Sequence, residues 1–306
     1  MDWSLRLWPA SLGLALLGLA RVDAQPPQGP PAPPRSAKAA ARADLTGQWV
    51  AQVTEDWRWR MITPPKGDYA SVPLTPMGRQ VADGWDPAKD EAAGEACRAF
   101  GAGGIMRQPT RLRIAWTDEN TLEIKTDSGE QTRLFHFERT AAPDTEPSWQ
   151  GRSVAEWMGG APAAPFFVMV APTREASTAR GGGAAANREP PPGTAAAAAR
   201  GAARPVSAPP AGALKVMTTD LKPGYLRKNG VPYSGQAVIT EYYDRVSMFG
   251  NDYLQVVTIV TDPAYLRVPF AVSNHFKLER DESKWRPTPC ATAAPLGTFV
   301  PSPFLP

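Results

Sequence analysis

The sequence predicts a mainly β protein: a single antiparallel barrel of about eight to ten strands with one helical crossover after the first strand. Three observations point there. Apolar and polar residues alternate with period two through most of the chain, the pattern of strands with one buried face. The alternating segments are separated by short gaps rich in turn residues, as in an antiparallel meander. Helix signals are confined to one stretch between the first and second strands.

The series opens with LTGQWVAQVTE (residues 45–55). If this strand runs on unbroken, Trp49, Ala51, Val53, Glu55, Trp57, Trp59 and Met61 share one face, and Gln48, Gln52, Thr54, Asp56, Arg58 and Arg60 the other. The helical stretch follows. Asp86 is an N-cap before Pro87 at the first helical position, AKDEAAGEACRAF carries acids early and Arg98 late, and Gly101 stops it. An earlier helical turn is expected from Met77 to Asp83.

Strands then resume. RLRIAW (111–116) sets Leu112, Ile114 and Trp116 against Arg111 and Arg113, and TLEIKTD (121–127) repeats the pattern with Leu122 and Ile124. Asp127-Ser128-Gly129 turns the chain into TRLFHFER. RSVAEW, LKVMTT, AVITEYYDRV, YLQVVTIVTD and FAVSNHFKLER bring the total to about nine strands.

The flanks carry different signals. Residues 1–24 read as a secretory signal peptide, with Arg6 as the charged start, Leu7 to Ala20 as the apolar run and Val22-Asp23-Ala24 as the cleavage site. A retained membrane anchor is the alternative, but the run falls short of the ~20 residues a bilayer needs. No transmembrane span is expected after cleavage. Residues 25–43 form a Pro/Ala-rich leader expected to be disordered, and residues at about 160–212 a Gly/Ala/Pro-rich disordered insert within a barrel domain spanning 44–290. Residues 291–306 are a C-terminal tail.

An exported chain meets an oxidising compartment, periplasmic or extracellular, so Cys97 and Cys290 are expected to form a disulfide; two unpaired buried thiols are the alternative. The net charge is +3, and the five Arg and two Glu between Gly160 and Gly212 account for all of it. The rest lacks the basic stripe of a nucleic-acid binder.

Leu45-Thr46-Gly47-Gln48-Trp49 resembles the Gly-x-Trp strand opening of lipocalins and other calycins, which implies a lipocalin-like barrel with Trp49 pointing inward. Across nearly all of 44–290 the chain also resembles a group of exported bacterial proteins common in soil bacteria. The shared motifs are TEDWRWRM with TPPKGDYASVPL, WQGRSVAEW, LKPGYLRKNGVPYS, EYYDR, TIVTDPAYLRVPF and SKWRPTPC. This resemblance implies compartment and fold, and no activity.

The candidate site follows from the alternation. On an inward odd face, Trp57 and Trp59 make an aromatic wall, and Glu55 beside them needs a partner because an unpaired buried acid is costly. Arg245 in EYYDR is one candidate, on the same face of its strand as Glu241 and Tyr243. Such a cluster reads either as a ligand site or as a structural ion pair closing the barrel end. Two Pro/Gly-punctuated stretches, PPKGDYASVP and LKPGYLRKNGVPYSGQ, are expected as exposed loops presenting Tyr69, Arg227 and Tyr233 for binding, or as plain solvated connections.

Catalytic signals are sparse. The two histidines, His136 and His275, lie within strands, and no metal pair, nucleophile elbow or phosphate loop occurs. No cofactor or metal is expected. The favoured function is non-catalytic binding of a small, partly apolar or amphipathic molecule. The alternatives are a hydrolase or isomerase using Glu, Arg and Tyr at the barrel mouth, for example Glu241 with Glu55 as an acid pair, and a cell-envelope scaffold.

Overall fold

In the sheet, alternation produces strands close to those expected: β1 (Gly47–Gln52), β2 (Arg111–Trp116), β3 (Thr121–Thr126), β4 (Thr132–His136), β5 (Arg152–Trp157) and β6 (Leu214–Thr219). A short hairpin, β7 (Gly224–Arg227) and β8 (Val231–Tyr233), precedes the long strands β9 (Val238–Met248), β10 (Asn251–Thr261) and β11 (Phe270–Leu278). This computed structural model describes residues 35–138, 146–159, 213–292 and 294–297. The expected signal peptide and insert lie outside the described residues.

Nine of the strands close into a barrel in the order β1-β11-β10-β9-β6-β5-β4-β3-β2, with β2 returning to β1. The barrel is mixed, which corrects the antiparallel expectation: β4 and β5 run parallel, through Phe135↔Ser153 and His136↔Val154. Strand direction reverses at every antiparallel joint, so a closed ring with an odd number of strands must contain a parallel one. The eight-stranded up-and-down lipocalin barrel has no such joint.

The inward residues line the ring. Trp49, Leu112, Ile114, Leu122, Ile124, Phe135, Leu214, Val216, Tyr243, Leu254, Val256 and Phe276 form one buried cluster. A barrel of this size leaves an interior wide enough for side chains to occupy.

β1 does not continue to Met61. It ends at Gln52, and the next helix, α1 (Trp57–Arg60), starts after Asp56, which takes a left-handed φ of 53°. The chain from there to Thr110 caps the end of the barrel. It includes α2 (Pro76–Asp83), with Thr75 as N-cap, and α3 (Pro87–Ala92), where the Asp86 side chain accepts from the Ala88 N–H as expected. α3 is shorter than expected, because Gly94 (φ 72°) breaks it and residues 96–100 continue as a 3₁₀ turn.

The stretch 221–236, expected as an exposed loop, is the β7–β8 hairpin, and every residue of both strands is buried. Leu226, Val231 and Tyr233 pack with Tyr69, Val72, Leu74 and Ala82 of the cap and with Ile239, Val260 and Phe270 at the rim in a second apolar cluster. Its turn depends on Gly230, whose φ is 79° and whose Cα lies so close to Trp85 that a Cβ would fall 2.1 Å from the indole Cγ. Cys97 and Cys290 are bonded, tying the cap to the segment after β11.

The leader needs a correction at its C-terminal half. Residues 35–43 do not hang free: the Lys38 N–H donates to the Glu119 carbonyl, Trp157 Nε1 donates to the Ala37 carbonyl, and Ala43 packs on the core.

Candidate functional site

Two polar clusters stand out. The first lies inside the barrel, where Glu241 on β9 and Arg133 on β4 both face inward and neither side chain has solvent exposure. Arg133 Nη2 donates to Glu241 Oε2 at 2.6 Å and Nη1 to Oε1 at 3.0 Å, a bidentate pair. Thr218 Oγ1 accepts a further bond from Arg133 at 3.2 Å and shares a hydrogen bond with Ser153 Oγ. Burial opposes charge on Arg133, but the adjoining Glu241 outweighs it, so the guanidinium is held above its ordinary value. Burial, then Glu241, pushes the Tyr243 hydroxyl well above its ordinary range.

This cluster contains polar atoms without protein partners. Asn274 on β11 is wholly buried on the inward face, yet neither Oδ1 nor Nδ2 has a hydrogen-bond partner among the described residues. The same is true of Thr258 Oγ1 and Arg133 Nε. Register brings them together: Thr258 lies opposite Glu241, and Asn274 lies opposite Val256, itself opposite Tyr243. Buried polar groups in native proteins are nearly always satisfied, so an orphaned carboxamide among apolar walls is unusual.

The second cluster is in the cap. Arg60, Arg107 and Arg227 are all buried, and the α1 stretch supplies the counter-charges. Arg60 Nη1 pairs with Glu55 at 3.1 Å, Arg107 Nη2 pairs with Asp56 at 3.2 Å, and Arg58 pairs with Asp68. Trp59 lies between two guanidiniums, with Arg58 Cζ 4.8 Å and Arg227 Cζ 4.5 Å from its ring centroid, and its Nε1 donates to Asp68 at 3.1 Å. Asn229 Nδ2 donates to the Pro65 and Asp68 carbonyls, which pins the β7–β8 turn to this cluster.

The expected site residues therefore divide. Glu55, Trp59 and Arg227 come together in the cap, and Glu241 and Tyr243 come together in the barrel. Tyr233 lies buried at the boundary, where burial raises its hydroxyl pKa and Arg133 opposes that. Tyr69 is buried and donates to Asp83 Oδ1 at 2.8 Å.

The aromatic wall and the Glu55–Arg245 pair do not form. Residues two apart share a face in a strand but lie far around the axis of a helix, so α1 leaves Trp57 62% exposed while Trp59 turns toward the cap. Arg245 binds the Asp44 carbonyl at 2.7 Å and pairs with Asp252 at 3.1 Å. Asp44 precedes β1 and Glu55 follows it, and a strand of six residues spans roughly 20 Å.

Arg133 and Asn274 were missed by the sequence reading. Both stood in apolar alternation, Arg133 with Phe135 and Asn274 with Phe270 and Phe276.

No family model, curated protein or solved structure matches the chain. Fold and site define the class by themselves: a closed, mixed nine-stranded barrel with one capped end, an ion pair in its interior and a cluster of guanidiniums in its cap.

Proposed function

We propose that the protein is an exported, non-catalytic binding protein for a small, partly apolar molecule held inside the barrel. The observation that carries this reading is Asn274, a wholly buried carboxamide with both polar atoms unpartnered. Around it are the apolar side chains of Val256, Leu254 and Phe276 and the hydroxyl of Thr258. Mostly apolar walls with a few convergent polar anchors are the usual make-up of a small-molecule site. Glu241 and Tyr243, joined by Arg133, form its polar side. The Cys97–Cys290 bond supports an oxidising compartment, and no described helix is long and apolar enough to cross a membrane.

Native mass spectrometry of protein purified from its own host tests the reading. Wild type is expected to carry a non-covalent organic mass that Asn274→Leu lacks. If wild type shows the polypeptide mass alone and Asn274→Leu is simply more stable, the site holds water and the reading fails.

A further inference from the structure

One guanidinium of the cap cluster lacks an ion pair among the described residues. Arg58, Arg60 and Arg107 each have a carboxylate, Asp68, Glu55 and Asp56 in turn. Arg227 has no carboxylate partner among the described residues, although it is only 3% exposed. Its Nε and Nη1 have no hydrogen-bond acceptor, and neither do Arg60 Nη2 and Arg107 Nε. The unpaired donors thus belong to three buried guanidiniums; Glu55 and Asp56 are each paired, and Asp68 is engaged through Oδ2 while its buried Oδ1 has no partner.

Physical chemistry makes this arrangement unstable as it stands. A buried cation without a counter-ion costs several kcal/mol, and arginine does not escape by losing its proton at neutral pH. Burial first, then the neighbouring Arg107, lowers the Arg227 pKa to about 10, against an opposing attraction from Asp56 and Asp68. Its guanidinium carbon lies over the Trp59 ring, 4.5 Å from the centroid, a contact that uses none of its N–H groups as hydrogen-bond donors to an oxygen.

We propose that Arg227, with Arg60 and Arg107, binds an oxyanion. Guanidinium is the side chain best matched to carboxylate, sulfate and phosphate oxygens, which it engages through several N–H groups at once. The oxyanion is either a free inorganic ion or the charged group of an organic molecule. α1 is a single helical turn beside the cluster, and its Trp57 and Met61 face solvent. The site is separate from Asn274, and the two are read by different measurements.

The test is thermal unfolding and isothermal titration of the full chain at fixed ionic strength, with inorganic phosphate, sulfate and benzoate compared against chloride. At least one oxyanion is expected to raise the melting temperature saturably and to bind with measurable heat. Phosphate or sulfate acting alone identifies a free tetrahedral ion, and benzoate acting alone identifies the carboxylate of an organic molecule. Arg227→Met is expected to weaken that binding roughly tenfold or more, the loss of charged hydrogen bonds. If Arg227→Met does not fold, Arg227→Lys keeps the charge without the planar donors and is expected to bind measurably more weakly. Absence of any effect beyond chloride, or equal binding by the Arg227 variant, overturns the proposal.

Discussion

Arg133 on β4 and Glu241 on β9 meet inside the barrel through two hydrogen bonds, and neither side chain reaches solvent. They come from strands that are not neighbours, since β5 and β6 lie between them around the ring. The pair therefore links separated parts of the wall across the interior. Removing one partner leaves the other charged and buried. Arg133→Met or Glu241→Leu should each lower stability by roughly 3–5 kcal/mol, whereas the double variant carrying both should cost much less than the sum. Urea unfolding of the four proteins checks this, and additive losses would show that the two groups do not act as a pair.

The two tryptophans of α1 should behave differently. Trp57→Ala is expected to change stability by no more than about 0.5 kcal/mol, because the ring is in water. Trp59→Ala removes two guanidinium contacts and a hydrogen bond to Asp68, a loss of roughly 2–3 kcal/mol. Equal effects in denaturant titrations would contradict the placement of α1.

The Cys97–Cys290 bond closes a loop of 193 residues in sequence separation. In the chain-entropy account, such a loop stabilises by about 5 kcal/mol. Denaturing, non-reducing alkylation should label neither thiol. The Cys97→Ser/Cys290→Ser variant should unfold at markedly lower urea, and an unchanged midpoint would show that the bond contributes nothing.

Alkaline pH should unfold the protein steeply. Tyr69, Tyr225, Tyr233 and Tyr243 all have hydroxyl pKa values raised above 10, first by burial and, for Tyr69 and Tyr225, next by donation to Asp83 and Asp90. The unfolded chain then releases these protons before the native state does. Stability from each group is fully present below pH 10 and is lost as pH climbs from 10 toward its folded value, at about 1.4 kcal/mol per pH unit per group. Arg227 acts in the opposite sense: its folded pKa is about 10, so its destabilising effect is full below that pH and eases above it. Tyrosinate absorbance and circular dichroism followed together should change in one transition. Tyrosine ionisation well before unfolding would contradict the burial.

Much of the sheet was legible because period two is set by the pleat itself. RLRIAW and TLEIKT became β2 and β3 with the expected residues inside. The cap was not legible for a specific reason. Between Gln52 and Trp57 the backbone changes from strand to helix, and the residues 53–60 alternate just as well after the change as before it. Residues 53–56 make the break, with Asp56 in a left-handed region that aspartate adopts more readily than most residues.

The β7–β8 hairpin misled in another way. LKPGYLRKNGVPYS has the Pro, Gly, Lys and Arg of a solvated loop, and nothing local reveals that the cap folds over it. Arg133 and Asn274 could have been found. Each interrupts an otherwise apolar face, which is the signature of a buried polar group with a partner, and EYYDR already placed Glu241 two residues from Tyr243 on such a face.

The order of strands around the ring also governs when the molecule can become itself. Ala51 of β1 pairs with Phe276 of β11, so the first strand must wait for nearly the last stretch of described chain before its second edge is covered. Contacts so distant in sequence form slowly, because the intervening chain must be ordered first. A polypeptide emerging from its N-terminus, whether from a ribosome or through a membrane pore, can assemble β1 with β2 and β3 early, but β1 keeps a bare edge until β11 arrives. That interval is when the chain is most open to a chaperone, and to pairing with another copy of itself.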